Sequence, residues 1–291
     1  MKALPPFYPV TATPYRHDEG YFEAAPCPAL RPWVRCFWGG LARRRAEKLV
    51  IPDACMDLLL TQDEHGAFLD RRFCAISNSP FLSHSQPGAL TFAVRFYPWA
   101  AAAFAQEALD GTKNGSFPIG QHFGALAKEL CSLVGREADF DARKRQAETI
   151  LLAHLRPERL PASLLTAMDN ILLHRGAVQA SQLARDVYLS QRQLERLFQR
   201  HVGASPKALC SMVRYQCLWR EALSLPRLNV QDAVVRYGYV DQAHLLNDFR
   251  AFHSMPLREA LQLARKDVAF LQANAGEACY AEGINTGEAC L

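Results

Sequence analysis

The sequence predicts an α+β protein. A β-rich, small barrel-like N-terminal domain with attached helices is followed by an all-α C-terminal domain with two helix-turn-helix units. Three observations lead there. Residues 28–96 hold short runs of β-branched and aromatic residues punctuated by Gly, Pro, Asp and Asn. Beyond them, apolar residues recur at helical spacing. A two-helix pattern in residues 181–209 then returns, with Leu194 and Phe198 matched 51 positions on by Leu245 and Phe249.

Residues 1–25 are proline-punctuated and read as extended. Strands are expected within 29–41, 48–63, 67–80 and 88–98, five to seven in all, forming an antiparallel sheet or small barrel. Helices are expected over 99–109, 121–134 and 140–155. The polar stretch 156–162 (RPERLPA) carries two prolines and marks the domain boundary. This divides the chain into 1–158, a helical domain at 163–270 and a flexible tail at 271–291.

The first helix of the repeat shows Leu183, Ala184 and Val187 on one face. The second starts at Ser190, a good N-cap, and places Leu194, Leu197 and Phe198 at helical spacing. Gln191, Arg192, Gln193, Glu195, Arg196 and Gln199 remain outward. Arg192, Arg196 and Arg200 step by four into one ridge. Such a front suits a major groove, where Arg reads guanine and Gln reads adenine. A merely solvated amphipathic face is the bland alternative. In the second copy Asn229 caps the first helix and Gly238 supplies the permissive backbone of the turn. A long helix over about 206–223, with Met212, Val213, Cys217 and Leu218 apolar, joins the copies.

The wording of this region, GASPK at 203–207, Arg214 with Cys217-Leu218 and Glu221-Ala222-Leu223, and YGYVDQAHLLNDFR at 237–250, closely resembles the paired helix-turn-helix domain of AraC/XylS-type transcription regulators. The resemblance implies sequence-specific binding to double-stranded DNA. It assigns Arg192, Glu195, Arg196, Gln191 and Gln193 to the groove, with Ser190 and Arg200 nearer phosphates. On the second helix it assigns Gln242, Ala243, Leu246 and Asn247, with His244 and Arg250 at the flanks and Asp241 and Asp248 where phosphates would lie. Two departures, Ala233-Val234 in place of Ile-Ala and Ser254-Met255-Pro256 in place of Gly-x-x-Pro, predict looser docking of the second unit and leave most of the reading to the first. The phrases at 28–38, 51–60, 94–100 and 117–124 also resemble, more loosely, the N-terminal half of one group of these regulators. That implies a sensing or dimerising module with a small-molecule effector. A homodimer and contact with RNA polymerase are the further partners such a regulator suggests, with activator as the expected role and repression left open.

Composition fits. The chain has 291 residues, 49% hydrophobic and 21% charged, as in a folded protein. Its net charge of +4 is uneven: residues 161–275 hold 14 basic and 9 acidic side chains, a mildly basic domain suited to DNA. No signal peptide or membrane helix is read, so a cytoplasmic protein with no membrane partner is expected. Free thiols are then expected for the nine cysteines, which contain no C-x-x-C. His17, His65, His84 and His122 make no metal constellation, and no metal, cofactor or catalytic motif is expected. Ligand candidates in the first domain are Trp38, Asp53, Asp57 and Arg95. Asp53 and Asp57 flank Cys55, and Arg95 needs a partner if buried. Trp33, Phe96 and Trp99 read as either pocket wall or core. Rival readings are a methyl-accepting, zinc-bound cysteine protein using Cys27, Cys36, Cys55 and Cys74, a thiol redox sensor, and a binding protein whose second unit has lost DNA affinity. The GEAC repeats at 276–279 and 287–290 belong to the tail.

Overall fold

The computed structural model describes residues 4–5, 7–10, 12–13, 21–137 and 139–274. Strands β1 (Ala12–Thr13), β4 (Ala46–Val50) and β7 (Phe81–Ser85) form a three-stranded sheet in the order β1-β4-β7. Strands β2 (Tyr21–Ala24), β3 (Val34–Leu41), β8 (Leu90–Phe96), β5 (Met56–Gln62), β6 (Phe68–Cys74) and β9 (Ser116–Pro118) form a six-stranded sheet in the order β2-β3-β8-β5-β6-β9. All pairs are antiparallel. The expected β-rich domain is therefore present as two sheets and not as a closed barrel.

Alternation along the central strands sets the two faces of the large sheet. Phe37, Leu58, Leu60, Phe73, Phe92 and Phe96 are fully buried on one face. Helices α1 (Ile119–Val134) and α2 (Phe140–His154) cover it: Phe123 meets Phe73 edge-on at 4.9 Å and Phe140 meets Phe92 at 5.5 Å. Gly39 is required here, because a Cβ would lie 2.4 Å from the Thr91 carbonyl oxygen and 3.2 Å from the Phe140 ring. On the opposite face the register places Cys36 and Asp57 on either side of Arg95.

The helix expected over 99–109 is absent; only a 3-10 turn at Ala101–Ala103 forms. Ala100, Ala101 and Ala103 are buried on every side, so no amphipathic stripe exists to hold a longer helix. The backbone donors of Gln106 and Leu109 go instead to the carbonyls of His122 and Arg200. The boundary at 156–162 is also tighter than a linker. Arg156 N–H donates to the Ala103 carbonyl at 2.9 Å, Arg159 reaches the Ala105 carbonyl, and Leu160 is buried.

The helical domain comprises α3 (Ala162–Leu173), α4 (Ala180–Asp186), α5 (Gln191–Val202), α6 (Pro206–Ser224), α7 (Val230–Arg236), α8 (Gln242–His253) and α9 (Leu257–Asn274). Helix α9 thus continues through 271–274, which the sequence reading assigned to a flexible tail. The GEAC repeats lie outside the described residues. The second unit does not dock loosely. Ala233 is the fully buried residue of α7, and the branched Val234 is half-buried at the edge of the same core. Leu245 and Phe249 are fully buried, and Phe249 packs on Tyr215 and Trp219 of α6 at 5.5 and 5.6 Å. Ser254 takes the left-handed C-cap (φ 62) that a glycine would otherwise fill.

Candidate nucleic-acid interface

Helix α5 begins in a capping box: Ser190 Oγ accepts from Gln193 N–H at 3.2 Å, and Gln193 Oε1 accepts from Ser190 N–H at 2.9 Å. The box sets the helix start, and periodicity then buries Leu194, Phe198 and Val202 while Gln191, Arg192, Glu195, Arg196 and Arg200 stand exposed. Gln193 is exposed too, but its carbonyl oxygen is held by the cap, leaving only its amide N–H donors for a base. Glu195 accepts from Gln199 at 3.2 Å and holds neither Arg192 nor Arg196. Among the described residues no carboxylate pairs with Arg192, Arg196 or Arg200. The three guanidinium groups therefore face solvent as the ridge the spacing predicted.

Helix α8 presents a different surface. Asp241 N-caps it, accepting from His244 N–H at 2.7 Å. His244 is exposed but occupied: its Nδ1 accepts from Val240 N–H at 3.4 Å and its ring stands edge-on to Tyr239. Asp248 corrects the sequence reading. It turns inward, accepting from the Tyr239 hydroxyl at 3.1 Å with Arg214 at 3.9 Å, and leaves the phosphate side. Gln242, Ala243, Leu246, Asn247 and Arg250 are exposed on the outer face.

The two turns also differ. In the second, Gly238 takes φ 64; in the first, Tyr188 takes φ 55 with its side chain 96% exposed. A bulky residue in the left-handed region is strained by roughly 1–2 kcal/mol. Tyr188 stands two residues before the N-cap of α5 and offers a hydroxyl to the backbone of any duplex lying there. Sequence reasoning missed it, because at the 51-residue spacing Tyr188 falls opposite Tyr239; the second turn is one residue longer, and only the structure puts Tyr188 at the place of Gly238.

In the β-rich domain the four ligand candidates converge. Arg95 donates through Nε and Nη2 to both oxygens of Asp57 at 2.9 Å, and its Nη1 lies 3.6 Å from Asp53. Trp38 Nε1 donates to the same Asp57 at 3.0 Å, and the Arg95 guanidinium sits 5.5 Å from the Trp38 ring centroid. Burial works against a charge on Arg95, but Asp57 and Asp53 outweigh it and hold the group protonated. The space beside Arg95, bounded by Pro9, Glu23, Arg35 and Cys36, is only about 10 Å³, the room of about one water. The outer edge, Trp38 and Asp57, is only partly exposed, with the Asp57 side chain 17% exposed. Trp33, Phe96 and Trp99 are core. Burial pushes the Cys36 and Cys55 thiols up. His122 is buried against Phe73 and Phe117, and among the described residues no group of three or more His, Cys, Asp or Glu is set to hold a metal ion. His17 lies outside them.

The β-rich domain touches the helical domain directly, at the end of α5 and at α6. Leu109 N–H donates to the Arg200 carbonyl, an orphan acceptor of the last turn of α5, at 2.9 Å. Beside it, Gly203 caps the helix at φ 73; a Cβ there would lie 2.4 Å from Thr112 Oγ1 and 2.9 Å from the Leu109 carbonyl oxygen. Gln216 of α6 is buried and clamps the N-terminal segment: its Oε1 accepts from Val10 N–H at 2.7 Å, and its Nε2 donates to the carbonyls of Val10 at 2.9 Å and Pro52 at 2.5 Å. Pro52 precedes Asp53 of the Arg95 network. No periodicity could reveal these contacts.

A helix-turn-helix domain family matches residues 183–262, and a domain family of unknown function matches residues 22–118. No curated protein matches the chain significantly. Among solved structures, a transcriptional regulator with an AraC-type DNA-binding domain from Chromobacterium violaceum is 21% identical (TM-score 0.32), covering 39% of this chain and 95% of that one. ToxT from Vibrio cholerae is 8% identical (TM-score 0.38), covering 84% and 99%. Wild-type ToxT with bound unsaturated fatty acid is 9% identical (TM-score 0.35), covering 85% and 97%.

Proposed function

We propose, from the premise that this chain belongs to the AraC/XylS family of transcription regulators, that it reads a specific promoter sequence with two recognition helices under control of a small molecule bound by its β-rich domain. The observation that carries the DNA part is the ridge of Arg192, Arg196 and Arg200 without acidic partners on a capped helix whose back is fully buried. Phosphate contacts from Arg200 and Tyr188 position the helix, and Arg192 and Arg196 select guanine.

Control follows from the contacts that cross between domains. An effector that engages the partly exposed Trp38–Asp57 edge and loosens Asp53 displaces Pro52, and with it the carbonyl that Gln216 holds. The position of α6 relative to the clamp then decides whether both recognition helices meet one duplex face at once. The high thiol pKa values of the buried cysteines disfavour thiolate and weigh against a redox sensor. A dimer and contact with RNA polymerase complete the reading, which makes the protein a binding module and not an enzyme.

The test is fluorescence anisotropy of the full chain on the DNA upstream of its own gene and on an unrelated duplex at two salt concentrations. Wild type should prefer its own duplex, and Arg196→Ala should lose about 1–3 kcal/mol of that preference. Binding indifferent to sequence in both proteins ends the reading.

A further inference from the structure

The second recognition helix, with the last residue of the turn before it, carries an exposed apolar stripe that no contact among the described residues explains. Val240, Ala243 and Leu246 recur every third residue; Val240 is 83% exposed and Leu246 36%. The residue before an N-cap commonly folds back onto the helix as an apolar staple. Leu189 does pack in that place before α5, whereas Val240 points out. Where the first unit offers Arg192, Glu195 and Arg196, the second offers Ala243, Leu246 and Asn247 at the matching positions 51 residues on.

We infer that the second helix reads A·T pairs, recognising thymine by its C5-methyl through Val240, Ala243 and Leu246, and adenine by Asn247. The inference rests on the DNA-reading function above and names the chemistry of its second half-site. The stripe is continuous with the groove-facing surface: at helical spacing Ala243 and Leu246 lie between Gln242 and Asn247, with Arg250 one turn further along the same face, and all five are exposed. Of the groups a major groove displays, only the thymine methyl is apolar, while adenine shows the N6 donor and N7 acceptor that an Asn amide matches. With Asp248 turned inward and His244 tied into the turn, no acidic side chain stands on the stripe. The target is then asymmetric. A guanine-bearing box under α5 and an A·T box under α8 lie about one helical turn, roughly 10 base pairs, apart.

The full chain would select duplexes from a random pool. The selected duplex would then be titrated by anisotropy with thymines of one box at a time replaced by deoxyuridine, which keeps the pairing and removes the methyl. In the A·T box, each methyl that contacts the stripe should cost about fourfold in affinity, the worth of one buried methylene-sized group. The same replacement in the other box should cost nothing. Leu246→Ala should weaken binding to the thymine duplex and abolish the difference between thymine and deoxyuridine, with the helical content unchanged by circular dichroism. A selected second box rich in G·C, or indifference to deoxyuridine in a duplex that still needs Arg196, overturns the inference and leaves the DNA-reading function standing. Failure to select any sequence, with binding that Arg196→Ala does not alter, removes both.

Discussion

Leu194 and Phe198 in the first unit and Leu245 and Phe249 in the second fill equivalent places, all at or below 1% exposure. Their outer faces share a glutamine at the first helical position, Gln191 and Gln242, and otherwise differ. The first shows unpaired guanidinium groups, a glutamate held by a glutamine, and a glycine C-cap wedged against Leu109 and Thr112. The second shows an alanine, a leucine and an asparagine, an aspartate N-cap, and a serine forced into the left-handed C-cap. The lesson is that a buried stripe of two or three apolar residues specifies a helix-turn-helix scaffold, while the solvent face is free to take either charged or apolar reading chemistry. The first unit is also the one that the β-rich domain grips at its recognition helix. The second packs on α6, by Phe249 on Tyr215 and Trp219 and by Arg214 lying 4.4 Å from the Tyr239 ring centroid, and on α9.

The sharpest way to break this comparison is at the two C-caps. Gly203→Ala adds a left-handed penalty and a collision with Thr112 and Leu109, together about 3–4 kcal/mol. Urea unfolding should show that loss, together with weakened DNA binding; a loss below about 1 kcal/mol would mean that the wedge at Leu109 yields freely. Acid should single out the second unit. Burial of His253 pushes its pKa down to about 4 from 6.5, and its neutral ring is hydrogen-bonded through Nδ1 to the Tyr215 hydroxyl at 2.7 Å. A depressed folded pKa means that the unfolded chain takes up the proton first. Stability is therefore full above about pH 6.5, falls as pH drops toward 4, and levels below it. The total is roughly 3 kcal/mol. Amide exchange should open α8 before α5 over that window, and His253→Phe should flatten the difference; equal opening of both helices would contradict it.

Removing one reader from each unit sharpens the contrast further. Arg196→Ala and Asn247→Ala should each cost about 1–3 kcal/mol of sequence preference, yet only the arginine change should alter the salt dependence. Anisotropy across a salt series measures both, and an unchanged slope in Arg196→Ala would place that guanidinium away from the duplex. The smallest effect belongs to Ser254→Gly. It relieves the left-handed cap and should stabilise the protein by about 0.5–1 kcal/mol in the same urea assay. A destabilisation there would show that the serine side chain has a role of its own.

What residue order alone determined is the set of features that depend on neighbours a few positions apart. Ser190 and Gln193 make a capping box because they are three residues apart. Leu194 and Phe198 share a face because a helix turns every 3.6 residues. Gly238 marks a turn because only its backbone enters the left-handed region without strain. The strands of the β-rich domain were legible for the same reason, through alternation and turn residues. Tertiary structure alone decided the rest. It unmade the helix expected over 99–109, because those alanines are enclosed on all sides and their backbone donors are claimed by α1 and α5. It turned Asp248 inward toward Tyr239 and Arg214. It closed Arg95, Asp53, Asp57 and Trp38 into one satisfied network in place of an open pocket. And it joined Gln216 to Val10 and Pro52, partners 206 and 164 residues away. A buried polar group must find a partner wherever the fold brings one, and that choice is made in space, at separations where sequence spacing carries no information.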